Sequence, residues 1–332
     1  TKKQQLRDYL KSPLKAWRRL QENDNDKKRD FFYQEVERSA AGGEFDVALT
    51  GSDRSLHTLA SLKAKGHRFK LVYWIPFTIP FVDMFDPRSL AIRQAAFPQV
   101  DLFVAITDTC RRVLLLEGIP EEKIVHVYPG VDTEVFQPRP QPKQDDVFRI
   151  LFVGKLVSWK GCYTLLYAAK ALLPDIPNLE LLFVGQGAQR QGLEQAAGLL
   201  GIKDRVKFTG FLKYDVLPDI YAQSDAFVLP ALPAINLAEQ FGFVVAEAMA
   251  CGLPAVVSRV GGLPEVVGGR EELIFTPGDY WDLADKLRAI HASKALADDL
   301  GQHCLAHARI HYDASKNGLA LKAVLEKMER WQ

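Results

Sequence analysis

The sequence predicts an α/β protein of two domains, each a parallel sheet covered by helices, and three observations carry that reading. Short, nearly continuous apolar runs alternate with helical segments along the chain. Such runs are strands buried on both faces, as in a parallel sheet. One break interrupts the alternation: "QPRPQPKQDD" (Gln137–Asp146) is polar, proline-rich and has nothing to bury, so it reads as a linker. The chain's 332 residues, 48% hydrophobic and 25% charged, suffice for two cores of ordinary size.

The half after the linker is the more regular. "FRILFVG" (148–154) leads into the helical "KGCYTLLYAAKALL" (160–173), and "LELLFVG" (179–185) into "QRQGLEQAAGLLG" (189–201). Then come "RVKFTG" (205–210), a helix near 214–223, "AFVLPA" (226–231) and a helix carrying Glu247. "PAVVSRVGG" (254–262) and "ELIFTPGD" (272–279) follow, with helices to the end. This is the pattern of a doubly wound sheet. In the first half, strands are expected at "FDVALT" (45–50), "FKLVYWI" (69–75), "DLFVAIT" (101–107) and "KIVHVYP" (123–129), behind two helices at roughly 2–20 and 27–40. Four strands make a shortened Rossmann-like sheet. If the strand at 45–50 lies at an open edge of this sheet, a second subunit, a further segment or the leading helices could cover it, and the apolar residues of those helices (Leu6, Leu10, Phe31, Phe32, Val36) favour the last.

Several classes are disfavoured. A net charge of +1 gives no general attraction to nucleic acid, and no apolar run approaches the ~20 residues of a membrane span. The opening "TKKQQLRDYL" is no apolar leader. Four scattered cysteines (Cys110, Cys162, Cys251, Cys304) lack metal-ligand spacing and read as reduced thiols of a cytoplasmic protein. Residues 2–20 carry seven Lys/Arg against Asp8, with Leu6, Leu10, Leu14 and Trp17 at helical spacing. Two readings stay open: peripheral contact with an anionic inner membrane face, or packing of this stripe on the chain's own sheet, with Pro13 interrupting the helix.

Ligands of open α/β sheets sit beyond the carboxyl ends of the strands, so the residues there are the candidates for function. Gly154 and Lys155 end one strand and Lys160 opens the next helix, where a cation beside free N–H groups suits a phosphate. Gly185 and Gly187 end another, letting backbone approach a ligand closely. Gly261-Gly262 precede a helix and read as a nest-like turn. In "EQFGFVVAEAMACG", Glu239 and Glu247 stand with seven residues between them in an otherwise apolar stretch. A carboxylate among Ala248, Met249 and Ala250 is costly to bury unless it is paired or hydrogen-bonded. A ribose diol is one such partner for Glu247; a helix-capping role for Glu239 and a buried arginine for Glu247 is the structural alternative.

At these residues the sequence resembles a GT-B glycosyltransferase of the retaining family 4 type. The resemblance rests on the E-x7-E pattern of Glu239 and Glu247 followed by "AMACGLPAVVS", on "VGKLVSWKG", "YPGVDTEVFQP" (128–138), "GGLPEVV" and "PGD" (277–279), in order over about residues 101–310. It implies a GT-B fold of two Rossmann-like domains facing a cleft, the N-terminal one shortened. Residues 1–140 would form the acceptor side, 147–310 the nucleotide-sugar side, and 311–332 a helix returning toward the first domain. It implies transfer of a hexose with retention from a UDP-, GDP- or ADP-sugar to an acceptor hydroxyl, without metal or other cofactor. Saccharide, lipid-linked and small-molecule acceptors all fit. Lys155 and Lys160 would bind the diphosphate and, with Glu239, form the catalytic set. Gly154, Gly185, Glu247 and the backbone of Phe211, Leu212 and Lys213 would complete the nucleotide site. Glu239 and the backbone of Phe241, Gly242, Phe243 and Val244 would hold the sugar. Two departures stand out: Lys155 replaces the commoner arginine, losing a bidentate fork, and "VYWIPFTIP" carries Trp74 and Pro76 where a histidine often stands. A silent nucleotide-sugar-binding protein and another GT-B enzyme, such as an epimerase, are the alternatives.

Overall fold

The computed structural model describes residues 38–39, 42–43, 45–82, 86–139 and 146–329. The predicted helices at 2–20 and 27–40, apart from Arg38 and Ser39, and the middle of the predicted linker lie outside the described residues, as do the membrane-contact and edge-covering readings that rest on them.

The described chain forms two wholly parallel sheets. The first holds β1 (Val47–Thr50), β2 (Lys70–Ile75), β3 (Leu102–Ala105) and β4 (Ile124–His126) in sequence order. The second has six strands: β5 (Phe148–Val153), β6 (Leu179–Val184), β7 (Val206–Gly210), β8 (Ala226–Leu229), β9 (Ala255–Ser258) and β10 (Ile274–Phe275), ordered β10-β9-β8-β5-β6-β7. The order reverses between β5 and β8, the topological switch at which open α/β sheets place ligands.

Helices fill the crossovers. Around the first sheet these are α1 (Asp53–Ala64), α2 (Pro87–Ala96) and α3 (Asp108–Leu116). The second sheet carries α4 (Cys162–Leu172), α5 (Arg190–Leu199), α6 (Leu217–Ala222), α7 (Phe243–Ala250), α8 (Leu263–Val266), α9 (Tyr280–Ala292) and α10 (Lys294–His311), and α11 (Ala314–Glu329) ends the described chain. Starts follow local chemistry: the side chains of Ser52, Thr107, Asp279 and Ser293 accept first-turn N–H groups of α1, α3, α9 and α10. Two helices are shorter than their pattern suggested. Gly161, at φ 68°, ends a short 3-10 turn before α4 begins. Pro218, in the first turn of α6, fixes its start.

Helices cover both faces of the second sheet: α4 packs with α9, and α7 with α10. Strands β8 and β9 are buried at every position, which accounts for their unbroken apolar sequence. The chain crosses between the sheets twice, and the crossings lie side by side. Val131 N–H donates to Tyr312 O at 2.7 Å, and Ala314 N–H to Val131 O at 3.0 Å. The Thr133 hydroxyl adds a bond to Asp313 Oδ2 at 2.8 Å. The contact leaves no room for a side chain at Gly130, where a Cβ would lie 2.2 Å from Ala314 Cα. Beyond it α11 returns to the first sheet, packing Met328, Leu321 and Leu325 with Val72, Val104 and Val127.

Three histidines run along α10 at one-turn spacing, with ring centroids 5.8 Å apart for His303 and His307 and 4.4 Å for His307 and His311. Burial, then the neighbouring His311 and His303, push the His307 imidazole down to about 4. Its folded value lies below the unfolded one of about 6.5, so between the two the unfolded chain binds the extra proton. The neutral ring's contribution is therefore complete above pH ~6.5 and is lost as the pH falls toward about 4. Melting temperatures measured across that window should fall less steeply for His307→Gln than for the wild type; parallel curves would assign the acid sensitivity elsewhere.

Candidate functional site

Backbone lies directly on backbone where the strands of the second sheet end. Gly154 N–H donates to Val184 O at 2.9 Å, Gly185 N–H to Gly210 O at 2.8 Å, and Leu156 N–H to Gln186 O at 2.9 Å. A Cβ on Gly185 would fall 1.9 Å from Gly154 O, and one on Gly187 2.2 Å from Leu156 O. The neighbouring loop already fills the space, and packing alone demands glycine at both positions. Gly161 is pressed in the same way on Pro230 O, at 1.7 Å from its would-be Cβ.

This packing fixes the lysines. Lys155 follows β5, is exposed, and makes no side-chain bond among the described residues. Lys160 closes the 3-10 turn Ser158–Lys160. Its ammonium pairs with Glu239 Oε2, the two side chains being only 12% and 11% exposed, and stands 4.4 Å from the centre of the Trp159 ring. Shielding of that degree makes the pair stronger than a surface bridge. Two residues assigned from separate motifs therefore meet.

Glu239 is held from behind. Gly262 N–H donates to Glu239 O at 3.0 Å, and Cβ atoms on Gly261 and Gly262 would strike Glu239 O at 1.9 Å and Gln240 O at 2.2 Å. The turn expected to cradle an anion instead steadies the acid's own backbone. Gly242, at φ 75°, starts α7, whose first N–H groups have no partner within the helix. Phe241 is buried, its ring 5.1 Å from Tyr312, so only its backbone is available to a ligand, while Phe243 is exposed. Val244 O accepts from Tyr221 at 3.3 Å.

Glu247 lies farther along α7 and is 7% exposed. The Tyr221 hydroxyl donates to its Oε2 at 2.9 Å, and burial, then the adjacent carboxylate, holds that phenol well above its usual range. Tyr221 is backed by Phe136, ring centroids 5.9 Å apart, so the "EVF" segment before the linker helps set Glu247. Tyr221 escaped sequence reading because nothing in "LPDIYAQ" marks it; only the fold sets α6 against α7. At the end of β7, the sheet's edge strand, Phe211 is 72% exposed, Lys213 exposed and Leu212 half-buried. They share the strands' carboxyl end with the others. Among the described residues no group of three His, Cys, Asp or Glu side chains is spaced to hold a metal ion.

A carboxylate beside a lysine just before α7, a second, buried carboxylate on that helix, and a helix start whose first N–H groups have no partner within the helix, all at the carboxyl ends of a doubly wound sheet, define a site for an anionic, hydroxyl-bearing ligand. The model of the glycosyl transferases group 1 family matches residues 134–304, just over half of the sequence, and the chain belongs to that family. It is 36% identical over 159 residues to an uncharacterized glycosyltransferase of Methanocaldococcus jannaschii, covering 45% of this chain and 39% of that protein. It is also 32% identical over 263 residues to a D-inositol 3-phosphate glycosyltransferase of Thermomonospora curvata, covering 70% and 60%. The match thus spans less than two thirds of either relative's length. Among solved structures, Anabaena HepE in complex with UDP superimposes with a TM-score of 0.79 at 22% identity, covering 89% of this chain and 82% of that one. The fold is GT-B, two Rossmann-like units.

The glycine argument has a direct test. Gly185→Ala should lower the unfolding free energy without ligand by roughly 2–4 kcal/mol, from overpacking and an unfavourable φ. Gly198→Ala, within α5 with open space around it, should raise it by up to ~1 kcal/mol. Denaturant titrations of both variants check this. An unperturbed Gly185→Ala would overturn the packing argument.

Proposed function

We propose that the chain is a retaining hexosyltransferase that takes its sugar from a nucleotide diphosphate donor. The observation that carries the reading is the shielded Lys160–Glu239 pair beside the start of α7, with Glu247 on that helix, in a chain of the glycosyl transferases group 1 family. HepE, which shares the fold, has been solved with UDP and with UDP-glucose; a UDP-, GDP- or ADP-sugar is the donor class proposed here. Residues 147–310 would bind it, residues 1–140 would receive the acceptor, and the segment from 311 would join the two.

Each role follows from charge. Without donor, the Lys160 ammonium is neutralised by Glu239. A diphosphate offers that ammonium more negative charge, so Lys160 turns to the phosphate and Glu239 is freed to accept hydrogen bonds from sugar hydroxyls. Lys155, exposed at the end of β5, adds a second cation. Glu247, fixed by Tyr221, would accept hydrogen bonds from the ribose hydroxyls, a carboxylate being able to accept several at once. As the bond from the anomeric carbon to the phosphate breaks, both lysines and the first N–H groups of α7 stabilise the charge growing on the phosphate. The acceptor oxygen attacks from the same face and its proton passes to the departing phosphate. The lysines and the helix end supply the charge stabilisation, so transfer needs no metal. Cytoplasmic placement fits four buried cysteines, all unpaired, and no described helix is long and apolar enough to cross a membrane.

Calorimetry and turnover test the assignment. Glu247→Ala should weaken nucleotide binding by roughly 1.5–3 kcal/mol, as expected for hydrogen bonds to a charged group. Lys160→Ala should cost the nucleoside diphosphate far more affinity than the nucleoside. Transfer should persist in EDTA. Equal losses for nucleoside and nucleotide would remove Lys160 from the phosphate, and nucleotide-sugar binding without turnover would leave a binding protein.

A further inference from the structure

One carboxylate outside this set has all its described partners in the other half of the molecule. Glu265 lies on α8, which directly follows Gly261 and Gly262. Its Oε1 accepts from Asp108 N–H at 2.6 Å and from the Tyr128 hydroxyl at 2.8 Å. Its Oε2 accepts from Thr109 N–H at 3.1 Å and from the Thr109 hydroxyl at 3.3 Å. The donors belong to the first turn of α3 and to the segment after β4, elements of the first sheet. Four donors on two oxygens is a full complement for a carboxylate. Two of them are N–H groups at a helix start, where negative charge is further favoured. His126 Nε2 lies 4.0 Å from Oε1, and burial pushes that imidazole toward its neutral form, so the contact rests on N–H and O–H donors.

The other end of this connection is the sugar loop. Gly262 N–H holds Glu239 O, and the first sheet's Thr78 and Thr107 press on the same turn, 3.1 and 3.2 Å from the would-be Cβ atoms of Gly261 and Gly262. From α3 to Glu239 the path is one side chain and one turn of backbone. Every residue assigned to the nucleotide lies on the second sheet, so nucleotide binding does not require the path. Transfer does, because acceptor and donor come from opposite sides.

We propose that Glu265 is a positioning residue, a clasp by which the second sheet grips the start of α3 and sets the Glu239 loop against the acceptor side. The proposal rests on the glycosyltransferase reading for its effect on transfer, but the clasp itself is measured without activity. In the full chain, Glu265→Ala should speed hydrogen exchange at Asp108 and Thr109 more than tenfold, with the core of the second sheet unchanged. UDP affinity should stay within twofold and kcat should fall more than tenfold. Glu265→Gln, similar in size but without the charge, should lie between wild type and alanine in both exchange and kcat. Unchanged exchange at Asp108 and Thr109 in a folded Glu265→Ala would overturn the clasp. Loss of UDP affinity in step with kcat would overturn the positioning role by placing Glu265 in nucleotide binding. A wild type without turnover would sink the glycosyltransferase reading alone, with the exchange data still deciding the clasp.

Discussion

The site depends on one steric constraint: at the carboxyl ends of its strands the second sheet lets its loops touch backbone to backbone. Gly161, Gly185, Gly187, Gly261 and Gly262 each occupy a position where a methyl group would overlap a carbonyl oxygen of another loop. Contact at that range transmits position with little slack, because packed interiors deform poorly. Lys160 reaches Glu239 because Gly161 lets α4 start against Pro230. Glu239 stays in place because Gly261 and Gly262 lie under its peptide. The charged chemistry is an outcome of this close fit.

Three partly or wholly buried carboxylates on the second sheet illustrate how such groups are stabilised. Each finds donors of a different kind: an ammonium for Glu239, a phenol for Glu247, and two backbone N–H groups with two hydroxyls for Glu265. A desolvated acid with no donor would cost several kcal/mol. The kind of donor also decides what can change. An ammonium on a flexible stem can leave for a better anion, whereas the donors of Glu265 belong to a helix end and can leave only if the first sheet moves with them.

Much of the fold was legible because it depends on local pattern. Runs such as "ILFV" and "AFVL" can only be strands covered on both faces, and their alternation with helices fixes a parallel sheet. Glu239 and Glu247 stood out because charge is rare in so apolar a stretch. What stayed hidden depends on distant contact. Gly185 and Gly187 look the same in sequence whether or not another loop lies opposite, and only the fold sets the carbonyl oxygens of Gly154 and Leu156 against them. Tyr221 gains its role from the placement of α6 against α7. Glu265 sat beside a glycine pair that was noticed, yet its partners are more than 130 residues away, too far for any periodicity to register.

The return of α11 to the first sheet has a consequence for how the protein is made. Met328 completes a cluster with Val72, Val104 and Val127, so this face of the first sheet cannot finish its packing until the whole second sheet and α11 have been made. The second sheet has no such wait: its six strands, β5 to β10, all lie within one continuous stretch. Domains generally fold as units in the order of synthesis; here the order of completion is reversed for one face. During translation, until α11 arrives, Val72, Val104 and Val127 lack the cover that Leu321, Leu325 and Met328 give them, while the second sheet already has all of its strands.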